Sequence, residues 1–462
     1  LDPVLCIDFG STYTKLTAID LDTETILAAA KDETTGQVDM MLGFRRALAR
    51  LEAQLPAAAR KFRRKWACSS AHGGLKMVAI GLVPELTAEA AKRAALGAGS
   101  RMLGVYHAML SGSEIRRIAQ IRPDIILLAG GTDGGNVACI LHNARLLADH
   151  VPDVPVIVAG NKSAADDIAA LFHSRGMNFR LAPNVLPRVN ELNVEPVREA
   201  IRELFAATIV QSKGLADAER WVGHVLMPTP TAVLHAARLL SQGTKQEAGI
   251  GELVVVDIGG ATTDVHSIGA GAPMAAGTTQ RGLEEPFAKR TVEGDLGTRV
   301  SALAVWEAAG ERGLDKYVPI RRTDWAERCR YLSSHTNVVP QSPADVEFDE
   351  ALAAAATEIA MDRHAGRIES VFTPMGIHYA QFGKDLRRTP HLLGTGGVLV
   401  HSRRPEAILR SALYDPASPQ TLKPERPRLW LDASYALSAL GLLASHDPNK
   451  ALRMLKAYMQ PI

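Results

Sequence analysis

Long apolar runs are missing from this 462-residue chain. No stretch approaches the roughly 20 residues that a membrane-spanning helix needs, and no charged-then-apolar leader opens it. Cysteine is scarce: Cys6, Cys68, Cys139 and Cys329 lie far apart and form no C-x-x-C pair. That argues against a disulfide scaffold or a cysteine metal site and fits a reducing cytoplasm. An excess of one charge is lacking too, with 52 Lys and Arg against 50 Asp and Glu. So balanced a surface argues against gripping nucleic acid or an anionic membrane as the main task. The basic cluster Lys61-Phe62-Arg63-Arg64-Lys65 has no aromatic ladder or second basic stretch and reads as a solvated face or a partner rim. Neither H-E-x-x-H, G-x-S-x-G nor G-x-x-x-x-G-K-[ST] occurs, which removes support for zinc-protease, serine-hydrolase and P-loop chemistry.

What the chain has is α/β alternation. Strands are expected at Val4–Ile7, Lys15–Ile19, Trp66–Ser70 and Lys76–Val83, and helices at Met41–Leu51 and Thr87–Gly97. From Pro123 strand and helix alternate as in a parallel sheet, which marks an α/β insertion over about 123–190. The Pro-rich joint Met227-Pro228-Thr229-Pro230 divides the chain into an N-terminal lobe, 1–226, and a C-terminal lobe, 227–462. Helix Phe348–His364 and a last helix around Leu431–Ala444 are expected in the second lobe.

Two units repeat one plan. Val4–Asp20 (VLCIDFGSTYTKLTAID) and Leu253–Ile268 (LVVVDIGGATTDVHSI) each run an apolar strand into an Asp, then a Gly-containing turn, then small hydroxyl residues and a returning strand. Without bulky side chains, the N–H groups of such a turn can converge on phosphate oxygens. Gly10, Ser11, Thr12, Thr14 and Lys15 form the first candidate cradle. Gly259, Gly260, Ala261, Thr262 and Thr263 form the second. Asp8 and Asp257, at the strand ends, can hold Mg²⁺ through its water, as that ion prefers.

These units resemble the phosphate-1 and phosphate-2 motifs of the actin, sugar-kinase and heat-shock-chaperone superfamily. Pro230–Ala237 resembles its first connecting helix, Leu393-Gly394-Thr395-Gly396-Gly397 its adenosine motif, and Asp432–Leu443 its second connecting helix. Within that superfamily the chain resembles the glutamate mutase L family, accessory proteins encoded beside adenosylcobalamin-dependent mutases. The resemblance rests on Asp8–Lys15, Ala67–Met77, Leu128–Asn136, Thr291–Arg299 and Gln381–Gly397. It implies a two-lobed actin-like ATPase fold with ribonuclease H-like sheets closing on ATP or ADP with Mg²⁺. Asp8 and Asp257 would be the catalytic acids, Glu293 would lie near the nucleotide, and Gly394–Gly397 would line the adenosine. The implied role is that of an ATP-dependent chaperone or reactivase for the mutase. A small-molecule kinase, with Asp133 or Asp295 as base, and an actin-like structural protein are the competing readings.

Thr229 departs from the chaperone pattern, which has a carboxylate there; Asp264, Glu293 or Asp295 are the candidates to replace it. Asp264-Val265-His266-Ser267-Ile268-Gly269 also fits D-x-H-x-x-G, a cobalt-ligating signature. On the return strand of a hairpin, however, His266 is misplaced for that task, and the match reads as coincidence. Gly130–Gly135 follows a strand and opens a helix but lacks G-x-G-x-x-G spacing, and reads as a tight structural turn.

Overall fold

The computed structural model describes residues 1–10, 12–34, 40–69, 76–97, 100–189, 191–209, 220–223, 227–274, 277–310, 313–318, 323–374 and 376–462. The chain divides into two compact units. One comprises Leu1–Gly73, Ser212–Arg281 and Glu285–Ile462, and the other Gly74–Gln211 with Gly282–Glu284.

The chain opens with β1 (Pro3–Phe9), which turns into β2 (Tyr13–Asp20) and then β3 (Thr25–Glu33); β4 (Arg64–Ser69) follows. Every residue of β1 is buried, as expected of an apolar run that becomes a central strand. Its partners are β2, antiparallel with Asp8 opposite Lys15, and β4, parallel.

In the second unit, β5 (Lys76–Gly81), β6 (Arg101–His107), β7 (Ile125–Leu128), β8 (Val156–Val158) and β9 (Phe179–Leu181) form a parallel sheet in the order β6-β5-β7-β8-β9. Alternate residues feed two cores. Met77, Ala79, Ile125 and Leu127 pack under helices Glu89–Gly97 and Glu195–Ile209. Val78, Ile80, Ile126 and Leu128 pack under Gly112–Ile121, Ala138–His150 and Ala165–Ser174. The unit starts well before Pro123 because β5 and β6 pair into the sheet that β7 continues.

The first unit resumes at β10 (Met227–Pro228), beside β4, completing the order β3-β2-β1-β4-β10. A second sheet contains β11 (Leu253–Ile258), β12 (Thr263–Ile268), β14 (Ala288–Glu293), β17 (His391–Thr395), β18 (Arg428–Asp432) and β19 (Met459–Pro461). Its order is β14-β12-β11-β17-β18-β19. Strands β13 (Thr278–Arg281), β15 (Arg367–Thr373) and β16 (Gly376–Phe382) make a small separate sheet. In the two large sheets of the first unit the first strand of the repeated motif pairs antiparallel on one side with its hairpin partner, which pairs antiparallel in turn. On the other side come two parallel strands. The motif seen twice in the sequence is therefore a fold built twice.

Helices Thr229–Gln242 and Leu437–Ala444 join the two sheets. Ala232, Val233, Ala236, Leu437 and Leu440 share one core with Val4 and Cys6 of β1 and Leu253 and Val255 of β11. The helix expected around Leu431–Ala444 is shorter than its apolar pattern suggests, and it is not the last, since helix Pro448–Tyr458 follows it. Leu431 and Asp432 belong to β18, and the helix begins only after a turn at Tyr435, where φ is 51°.

No helix among the described residues is long and apolar enough to cross a membrane.

Candidate functional site

The two Gly turns meet. A Cβ built on Gly260 would lie 2.9 Å from Thr12 Oγ1, so a side chain at 260 would force Thr12 or the turn to shift. Each turn is closed by a backbone bond, from Gly10 N to Tyr13 O (3.1 Å) and from Gly259 N to Thr262 O (2.8 Å). Thr298 N and Arg299 N donate to Gly259 O and Gly260 O (3.1 and 2.8 Å), folding Thr291–Arg299 back onto the second turn. Ser11 lies outside the described residues.

Around these turns stand Asp8, Lys15, Asp257, Asp432 and Tyr435. Asp8 is buried and accepts hydrogen bonds from Thr229 Oγ1 (2.6 Å), Ser438 Oγ (3.3 Å) and Lys15 Nζ (3.4 Å). Thr229, standing where a carboxylate was expected, thus orients Asp8 instead of accepting a proton. The Lys15 ammonium also lies over the Tyr435 ring, 3.7 Å from its centroid. Burial pulls the Lys15 pKa down, but Tyr435, Asp8 and Asp257 outweigh it and raise it, so the amine stays charged. Burial first, then Asp264, push the Asp257 carboxyl up to about 7. Asp432 is fully buried; it accepts from Ala436 N, Leu437 N and Thr395 Oγ1, each at 2.9 Å.

Not every expected residue faces this site. Thr14 is buried and bonds Thr34 Oγ1 at 3.1 Å. Thr263 is buried and donates to Leu296 O. Ala261 is buried, its carbonyl accepting from Ser301 Oγ at 2.8 Å. Thr262 hydrogen-bonds Asp264. In the segment expected to line adenosine, Gly394 packs against Leu399 and Leu409, and Thr395 is spent on Asp432. Gly396, with φ 119°, lies against Ile258 O, and of the four only Gly397 opens onto free space. Glu293 and Asp295 are both bound by Arg363, at 2.9 Å and, bidentately, at 2.7 and 2.9 Å. Asp264 forms a buried ion pair with Arg290 at 3.1 Å. The expected substitutes for a general base are therefore tied to cations.

Sequence reasoning missed Tyr435 and gave Asp432 no role. The signal was Asp432 closing a second apolar strand, but it sits in a stretch whose apolar pattern reads as helix. Beside the second turn, a cavity of about 460 Å³ lies between Arg299, Arg328, Tyr331 and Val339. In the other unit, Gly130–Gly135 is stitched by buried amides: Asn161 Oδ1 accepts from Gly134 N, and Asn184 Nδ2 donates to Gly131 O, both at 3.1 Å.

His266 is fully buried on β12, and neither ring nitrogen has a hydrogen-bond partner among the described residues. Burial, and then Arg290, hold its pKa well below the usual range, so the ring is neutral. A ring enclosed in a sheet interior has no route to a cobalt. Because an orphaned buried nitrogen costs stability, His266→Leu is expected to leave stability unchanged or raise it by up to about 2 kcal/mol in urea unfolding. A loss of stability would reveal a partner.

Two sheets of one strand order, each presenting an acid beside a glycine turn with the turns in contact, define a protein of the actin-like class that includes sugar kinases and heat-shock chaperones. The chain belongs to the MutL protein family, whose model matches residues 4–459. It is 54% identical over 459 residues to Protein MutL of Clostridium tetanomorphum, covering 99% of each chain. Among solved structures it is similar to a glycerol dehydratase reactivase (10% identity, 96% of this chain and 99% of that one, TM-score 0.33). It is also similar to the activator of the 2-hydroxyisocaproyl-CoA dehydratase from Clostridium difficile (10% identity, 98% and 97%, TM-score 0.32).

Proposed function

We propose that this chain binds Mg·ATP at the paired turns and serves as a chaperone or reactivase for an adenosylcobalamin-dependent mutase, glutamate mutase being the type of client. The contact of Gly260 with Thr12, which brings two phosphate-cradling turns together beside Asp8 and Asp257, carries the nucleotide half of this reading. Membership of the family and its resemblance to mutase accessory proteins carry the other half.

The donor set fits a hydrated magnesium ion. No group of three or more His, Cys, Asp or Glu side chains among the described residues is clustered to ligate a metal outright. Asp8 and Asp257 instead offer carboxylates to the waters that Mg²⁺ keeps. When bound, the ion would neutralise phosphate charge, and Lys15 adds a second positive charge. The turn N–H groups fix the phosphates. Asp257 would share that water shell with Asp8, its carboxyl being raised by burial and by Asp264 before the ion binds. With Thr229 unable to accept a proton from an attacking water and Glu293 and Asp295 held by Arg363, hydrolysis should be slow. Slow turnover suits a switch in which ATP and ADP favour different arrangements of the two sheets.

The test is reactivation. A mutase blocked by damaged cobalamin, mixed with this protein, should regain turnover when ATP and Mg²⁺ are added and fresh cofactor is supplied. Absence of both recovery and physical association with cobalamin mutases would overturn the accessory role.

A further inference from the structure

Lys15, on β2 just past the first turn, pairs with Asp8 at the centre of the site, and the group that holds it there lies far away in the chain. Its ammonium sits 3.7 Å from the centroid of the Tyr435 ring and 3.4 Å from Asp8 Oδ2. Asp257 lies close enough to act on its charge. A long, flexible amine can leave one acid for another. A ring face beneath it restricts that choice, because the cation is attracted to the negative face of the ring and gains more once water is excluded.

Tyr435 is held in place at a backbone cost. Its φ of 51° lies in the left-handed region, where Gly or Asn is the usual residue and a bulky side chain is an outlier. Backbone preference alone would therefore have put a small residue at this turn; a tyrosine needs a side-chain reason. The turn is fixed on both sides. Tyr435 N donates to Asp432 O (3.1 Å), while the buried Asp432 carboxylate takes Ala436 N and Leu437 N at the start of the following helix. Thr395 ties the same carboxylate to β17. The ring is thus set by the second sheet and delivered to a lysine of the first.

We infer that Tyr435 is a positioning residue that holds the Lys15 ammonium over its ring, beside Asp8, where it meets the phosphates of the nucleotide. This rests on the nucleotide reading of the site. It predicts that Lys15 and Tyr435 act as a pair, in which the ring face counts for more than the hydroxyl that also reaches Lys15.

Two measurements test it. In the nucleotide-free protein, the ε-methylene protons of Lys15, assigned by comparison with Lys15→Arg, should resonate upfield through the ring current of Tyr435. They should return to the ordinary lysine position in Tyr435→Leu and stay upfield in Tyr435→Phe. Calorimetric titration with Mg·ATP should show about a tenfold loss of affinity in Lys15→Met, a comparable loss in Tyr435→Leu, near wild-type affinity in Tyr435→Phe, and little further loss in the double variant. Additive losses, equal losses in the Leu and Phe variants, or an ordinary Lys15 shift in the wild type would each overturn the inference. Failure of the wild type to bind Mg·ATP would overturn the nucleotide reading and the phosphate role with it. The ring-current result would then decide, separately, whether Tyr435 holds Lys15.

Discussion

Asp8→Asn is expected to weaken Mg·ATP binding about a hundredfold in calorimetry while leaving the protein folded. Asp8 is a buried carboxylate whose oxygens take hydrogen bonds from Thr229, Ser438 and Lys15. The amide has nearly the same shape and keeps one accepting oxygen, so the two hydroxyls retain much of their geometry. What disappears is a negative charge beside a partly buried ammonium and beside the expected water shell of the metal. Removing one partner of a buried, hydrogen-bonded charge pair typically costs about 2–5 kcal/mol in binding, and the lower half of that range is the hundredfold loss. Asp8→Ala should lose as much affinity and also melt earlier, because it leaves Thr229 Oγ1 without its 2.6 Å acceptor. Wild-type affinity in both variants would refute the site.

The second large effect concerns the fold that brings the turns together. Helices Thr229–Gln242 and Leu437–Ala444 cross so closely at Gly441 that a Cβ there would lie 1.9 Å from Ala232 O. Backbone carbonyl is the obstacle, and it cannot swing aside as a side chain would. Gly441→Ala must therefore spread two helices whose apolar faces share one core with β1 and β11. Overpacking of this kind costs about 1–3 kcal/mol and occasionally more, and an obstacle made of backbone puts Gly441→Ala at the upper end. The expected result is a clear fall in the thermal midpoint together with weaker Mg·ATP binding, since both turns ride on the sheets these helices join. Gly397→Ala, at a position open to space, is the control for stability and should melt with the wild type.

The plan of paired glycine turns was legible because it is local. An apolar strand, an acid, a glycine turn and a returning strand are a hairpin wherever they occur, and β1–β2 and β11–β12 formed where the two copies stand. The parallel winding after β7 was equally plain from its alternating strands and helices. Other features depended on partners remote in sequence. The threonines of the two turns look alike in the sequence, yet Thr14 and Thr263 turn inward to Thr34 and Leu296, Thr14 on the buried side of the start of β2 and Thr263 in a strand buried along its whole length. Glu293 and Asp295 are both bound by Arg363, some seventy positions away.

The sequence by itself determined that there are two acid-ended glycine turns and that each starts an α/β sheet, because strand period, turn chemistry and the Asp at the strand end are all set by neighbouring residues. Only the tertiary structure decided that the turns touch at Gly260 and Thr12, and that Thr229 orients Asp8. It alone brought Tyr435, misread as part of a helix, beneath Lys15. Those facts follow from how two sheets pack through a pair of helices, and close packing joins residues by shape and distance, which local pattern does not encode.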